Sequence, residues 1–155
     1  MSGETIPLAV PPVVKTVTVR CPPERAFRHF AEGIGTWWPI ARIHVAPDPE
    51  TCTLEPRVGG RVFERATNGV ETHWGTVLVW DPPHRLSFSW DVGFEKEKAR
   101  VDVSFTRVPA GTEVTLVHTG WEHLGEAAAN LRDRYNQGWV TVFEECYANY
   151  ANAAA

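Results

Sequence analysis

Between Leu86 and His118, three successive stretches place an apolar side chain at every second position, and from Glu126 onward the apolar spacing changes to three and four. Leu86, Phe88 and Trp90 alternate with Ser87, Ser89 and Asp91; Val101, Val103 and Phe105 alternate with Asp102, Ser104 and Thr106; Val114, Leu116 and His118 alternate with Glu113 and Thr115. A period of two puts alternate side chains on opposite faces of a strand. Turn signals at Asp81-Pro82-Pro83 and Ala110-Gly111 join the stretches, so they read as an antiparallel meander wetted on one face. Ala127, Ala128, Leu131 and Tyr135 then mark a helix, loosened at Asn136-Gln137-Gly138. Trp139, Val142, Phe143, Cys146 and Tyr150 continue an apolar stripe long enough to cross a sheet. A half-apolar sheet and a one-sided helix each need a partner to bury against, and each supplies the other's.

The preceding residues extend this plan. Residues 1–12 read as a Pro-interrupted arm, 13–152 as one domain and 153–155 as a short tail. Val13 to Arg20 is rich in β-branched residues and suits a strand. Pro23 starts a helix whose apolar face carries Ala26, Phe27 and Phe30; Gly33 and Gly35 end it before Trp37-Trp38-Pro39. Cys52 to Val58 runs into Gly59-Gly60, a site for a bend or bulge. Arg61–Thr67 and Val70–Trp80 flank Asn68-Gly69, which predicts a two-residue type I′ hairpin. That register pairs Phe63 with Trp74 and Glu64 with His73, gathers Trp74, Thr76, Leu78 and Trp80 on one face, and puts Glu64 and His73 on the other as a surface ion pair. A one-residue bulge would reverse this and turn them inward as a carboxylate–imidazole pair suited to acid–base work.

Charge and motif content narrow the chemistry. A net charge of −4, with no basic run, disfavours nucleic acid as a partner. No apolar run approaches the ~20 residues of a membrane span, no charged-then-apolar leader opens the chain, and three dispersed cysteines (Cys21, Cys52, Cys146) form no C-x-x-C pair. Free thiols point to a reducing, cytoplasmic setting. His118, Glu122 and His123 lack the helical spacing of a zinc motif, Gly59-Gly60 lacks the Lys-Ser/Thr of a phosphate loop, and no Gly-x-Ser-x-Gly elbow occurs. Neither a metal nor another cofactor is expected.

The ordered set Glu55-Pro56-Arg57-Val58-Gly59-Gly60-Arg61, Trp74-Gly75-Thr76-Val77-Leu78, Asp81-Pro82-Pro83, Leu86-Ser87-Phe88-Ser89-Trp90, Val114 through Trp121 and Gly138-Trp139 resembles the SRPBCC (START-like) superfamily. Within it the chain is similar, from about Val13 to Tyr150, to the domain of activators of heat-shock-protein-90 ATPase and their bacterial relatives. The resemblance implies an α+β helix-grip (START/Bet v-like) fold: a curved antiparallel sheet of six to seven strands around a long C-terminal helix. The eukaryotic co-chaperones also carry an N-terminal domain with an Asn- and Trp-rich chaperone-binding motif, which is not found in these 155 residues. The superfamily's lipid carriers, hormone receptors and polyketide cyclases share the fold, so function must be read from the site.

Seven tryptophans are the compositional signature, because indoles are large to bury and costly to expose. Phe63, Trp74, Leu78, Phe88, Trp90, Phe105, His118, Trp139 and Phe143 are expected to line a cavity between sheet and helix, with Trp37 and Trp38 as its lid. The sequence reading is therefore a non-enzymatic domain, monomer or homodimer, that holds a small hydrophobic or aromatic molecule with His118 as the inward polar contact. Two alternatives stay open: a protein-interaction module assisting a chaperone or other client, and a cyclase- or aromatase-type enzyme with a proton-transfer pair in the pocket.

Overall fold

The computed structural model describes residues 10–154. Most of the expected arm, residues 1–12, lies outside them. Strand β1 (Val13–Val19) is followed by helix α1 (Pro23–Ala31) and a single turn, α2 (Ile34–Trp37). Six strands follow: β2 (Pro49–Leu54), β3 (Arg61–Ala66), β4 (Glu71–Asp81), β5 (Arg85–Ser89), β6 (Arg100–Val108) and β7 (Gly111–Thr119). A 3₁₀ segment, Trp121–Ala127, leads into α3 (Ala128–Trp139), which runs on through a π-helical stretch (Val140–Tyr147) into α4 (Ala148–Ala153). The strands form one antiparallel sheet in the order β1-β7-β6-β5-β4-β3-β2, curled around the C-terminal helix.

The alternating stretches become β5, β6 and β7 in the expected meander. Leu86, Val101, Val103, Val114 and Leu116 are all fully buried, in one core with Phe143, Tyr147 and Ala151 of the helix. Pro23 sits in the first turn of α1, where its missing N–H costs nothing, and Ala26, Phe27 and Phe30 are its buried face.

Three expectations are corrected. First, the β3–β4 turn is not a two-residue type I′ turn. Gly69 N donates to Ala66 O (2.9 Å), Ala66 N donates to Val70 O (2.8 Å), and of the two loop residues only Gly69 has a positive φ (+88°). This is the three-residue hairpin loop closed by a left-handed glycine, and it moves the register by one. Phe63 now faces His73, and Glu64 faces Thr72. A one-residue slip exchanges faces: Glu64 turns inward and is fully buried, while Phe63 turns to the other face of the sheet, where it stays buried outside the main core beneath the Arg61 guanidinium, 4.2 Å from its ring centre.

Second, β4 is irregular twice. Its pairing with β3 shifts between Val62 and Phe63, and its pairing with β5 shifts between Val77 and Val79. Each bulge inverts the alternation, so Trp74, Val77 and Trp80 join the core, whereas Thr76 and Leu78 do not.

Third, the helix does not loosen at Asn136–Gly138. Helical structure is continuous there, and the irregularity falls later, in the π-helical stretch. The wider π turn advances the buried stripe from Cys146 to Tyr147. Tyr147 is fully buried and its hydroxyl donates to Ala26 O at 2.8 Å; Cys146 is only half-buried.

Candidate functional site

The aromatic side chains divide into two groups. Phe27, Phe30, Trp37, Phe105, Phe143 and Tyr147 interlock between α1 and the C-terminal helix, with Phe143 stacked on Tyr147 at 5.5 Å and Trp37 set 5.2 Å from Phe30. This group is solid core. Trp38, Trp74, Trp90 and Trp139 form the second group, with Trp38 4.8 Å from Trp74 and 6.0 Å from Trp139, and Trp74 5.6 Å from Trp90.

A cleft of about 340 Å³ opens beside this second group. Trp74 and Trp90 form its sheet wall, and Leu131, Tyr135, Trp139 and Val142 form its helix wall. The segment after α2 closes the third side with Trp38, Ile43, His44 and Val45; Val92, Arg134 and Gly138 complete it. Of the side chains expected to line a cavity, Trp38, Trp74, Trp90 and Trp139 meet here. Trp37, Phe105 and Phe143 lie in the solid core, and Phe88 is buried beside Trp90 at 6.5 Å without reaching the cleft. Phe63 and Leu78 are turned away by the register changes described above.

Each cleft indole has its N–H tied to a different protein acceptor. Trp38 donates to Ile43 O (2.9 Å), Trp74 to Glu64 Oε1 (2.8 Å), Trp90 to the Tyr135 hydroxyl (2.8 Å) and Trp139 to His118 Nδ1 (3.0 Å). With every N–H so committed, the rings have no free donor for a ligand, and the orientations of Trp74 and Trp139 are set from behind by Glu64 and His118.

His118 is one such anchor rather than a wall. It is fully buried, outside the cleft lining, with Trp121 at 4.4 Å and Tyr135 at 5.2 Å between ring centres. Burial pulls its pKa down to about 3. The imidazole is therefore neutral, and because Nδ1 accepts from Trp139 the ring proton sits on Nε2, which has no partner among the described residues.

Glu64 is the anchor that register reading missed. One oxygen accepts from Trp74 Nε1 and from Val45 N (2.6 Å), and the other accepts from Ala46 N (2.9 Å). Three N–H donors converge on a buried carboxylate, which satisfies the charge and ties the 43–46 segment to the sheet. His73 instead pairs with Asp91, which also accepts from Glu97 N (2.8 Å) and lies 3.4 Å from Ser89 Oγ. Here the carboxylate is in the middle and the imidazole does not touch the serine, so no nucleophile is activated. Tyr135 was legible in the sequence: it lies four residues before Trp139, on the same helix face. Among the described residues no three His, Cys, Asp or Glu side chains gather as metal ligands, and no helix is long and apolar enough to cross a membrane.

The model of the family described as activator of Hsp90 ATPase homolog 1-like protein matches residues 20–148, from the end of β1 to the start of α4. The chain belongs to this family. Among solved structures, this AHSA1-like chain is similar to protein MLL2253 from Mesorhizobium loti (20% identity, TM-score 0.69, covering 93% of this chain and 98% of that one). It is likewise similar to an AHSA1-like protein from Aeromonas hydrophila (22% identity, TM-score 0.64, covering 92% and 93%). A third similar structure is that of Txn09, an anthrahydroquino-gamma-pyrone synthase determined as a complex (29% identity, TM-score 0.60, covering 94% and 99%). No curated protein matches. The helix-grip architecture read from the sequence is that of the AHSA1-like neighbours.

Proposed function

We propose that this AHSA1-like domain binds a small apolar or aromatic molecule in the cleft between its sheet and its C-terminal helix. The observation that carries the reading is a cleft of about 340 Å³ faced by four indoles whose N–H groups are each satisfied by a protein acceptor. That volume falls within the ~300–1,000 Å³ of small-molecule sites, and the lining is of the expected kind, mainly apolar with few polar groups.

Gly138 supports the same reading. A mid-helix glycine costs about 1 kcal/mol relative to alanine, and here it lines the cleft with nothing within 4 Å of where a Cβ would stand. Its missing side chain leaves the cleft wider.

Titrating the full chain with neutral polycyclic aromatics, while following tryptophan emission and melting temperature, tests the proposal. Saturable quenching with a raised Tm is expected, and Gly138→Leu, which fills the cleft from the helix side, should abolish both responses while the protein stays folded. An unchanged response in Gly138→Leu, or none in the parent chain across a broad panel, would refute it.

The likeness to Txn09 favours a second reading, an enzyme acting on an aromatic polyketide in the same cleft. Tyr135 is the protic group positioned for it, since its oxygen accepts from Trp90 and its own proton is left to donate. Turnover of a polyketide substrate that is lost in Tyr135→Phe would support catalysis; binding without turnover would leave the carrier reading.

A further inference from the structure

The polar groups of the cleft define one more property of its occupant, on the reading that the cleft binds a small molecule. Among its lining residues the polar side chains are His44, Arg134 and Tyr135, and neither an aspartate nor a glutamate faces it. Arg134 is exposed on α3, next to Tyr135, and has no carboxylate within 4.0 Å among the described residues, whereas the neighbouring Asp133 is engaged by Arg132. The Tyr135 hydroxyl already accepts from Trp90, so toward a ligand it offers its proton. His44 holds Ala46 O with Nδ1; a carbonyl can only accept, so that nitrogen carries the proton, and Nε2 has no hydrogen-bond partner among the described residues.

In a chain of net charge −4, the cleft thus has, among the described residues, a cation with no carboxylate partner and no acidic side chain. We propose that the occupant is an aromatic acid: a planar ring system lying against Trp38, Trp90 and Trp139, with an ionised carboxylate or phenolate oxygen directed to the Arg134 guanidinium and the Tyr135 hydroxyl. Arginine's planar fork suits a two-oxygen head, and the indole faces favour a ring over an alkyl chain through offset and edge-on packing.

Isothermal titration calorimetry of the full chain with 2-naphthoate, its methyl ester and dodecanoate separates these elements. The parent chain is expected to bind naphthoate about fivefold more tightly than the ester, the size set by a solvent-exposed cation. It should also prefer naphthoate to dodecanoate. Arg134→Gln should bring the acid-to-ester ratio close to one, with its Tm confirming that the exposed substitution leaves the fold intact. An ester bound as tightly as the acid, or an acid preference that survives Arg134→Gln, overturns the anionic head while the cleft reading stands. Tighter binding of dodecanoate overturns the aromatic body. Failure of all three probes to bind the parent chain removes this inference, whereas the cleft reading falls only if the panel of neutral polycyclic aromatics also gives no response.

Discussion

Trp139 Nε1 donates to His118 Nδ1 at 3.0 Å, and this one bond joins the wall of the cleft to the centre of the core. It sets the tautomer of His118, and it turns the Trp139 ring edge away from the cleft. The two residues come from β7 and from the end of α3, so the bond also ties the sheet to the helix that it grips.

His118 makes stability depend on acid. Its pKa is lowered in the folded protein to about 3 by burial, against 6.5 for a free imidazole. The unfolded chain therefore takes up a proton that the folded chain refuses, and stability present above about pH 6.5 is lost as the pH falls toward 3, at up to ~1.4 kcal/mol per pH unit. Carboxylates titrate over part of the same range, so the comparison is with His118→Leu, whose urea-unfolding free energy should be lower at neutral pH but flatter between pH 6.5 and 4. In the parent chain the ring carbon signals of His118 should not move in NMR spectra from pH 8 down to 5.

Glu64 should be costly to remove and partly replaceable. Glu64→Ala leaves the N–H groups of Trp74, Val45 and Ala46 without an acceptor and is expected to cost about 3 kcal/mol or more. Glu64→Gln keeps one acceptor oxygen and should cost less. Shifted urea midpoints check the order, and Glu64→Ala should also increase hydrogen exchange at residues 43–46.

Gly75 and Gly69 separate two reasons for a glycine. A Cβ on Gly75 would stand 1.8 Å from Ser89 O, a backbone atom that cannot step aside, so Gly75→Ala is expected to prevent folding or cost well over 2 kcal/mol. At Gly69, φ is +88° and nothing lies within 4 Å, so Gly69→Ala should cost only the ~1–2 kcal/mol of a left-handed L-residue. Soluble yield and thermal melts distinguish the outcomes.

Gly138→Ala should move stability the other way. The site is helical with open space at the Cβ, so the variant is expected to gain about 0.5–1 kcal/mol, read as a higher Tm.

The thiols should react unequally. Burial pushes Cys52 up to about 12, and Cys21 is raised as well, whereas Cys146 is half-buried. Iodoacetamide at pH 8 should label Cys146 first in the native protein and all three after unfolding, as peptide mass spectrometry would show.

Order and type of elements were legible because they depend on local periods. The two-residue alternation of Leu86 to Leu116 and the helical spacing from Leu131 to Phe143 each identify an element before any contact is known. Trp74, Trp90 and Trp139 could be named from the same phases and from their size, and Trp38 only as part of a Trp37-Trp38 lid. Other positions were not legible for particular reasons. Phe63 and Glu64 exchange faces according to how many residues the Asn68-Gly69 turn uses. Leu78 depends on a bulge that no residue type announces. Trp37 and Trp38, adjacent in sequence, part company because one indole packs on Phe30 and the other on Trp74.

The amino-acid order alone therefore determined an antiparallel meander and a long one-sided helix to cover it, since hydrophobic periodicity is a property of neighbours along the chain; the curl of the sheet around that helix was implied by the resemblance to the START-like superfamily. Tertiary structure decided the register at the β3–β4 turn, and with it whether Glu64 meets solvent or orients Trp74. Asn-Gly accommodates more than one hairpin loop at similar local cost. The choice falls to the larger free energy of burying Val62 and Val77 while giving the buried Trp74 N–H its Glu64 acceptor.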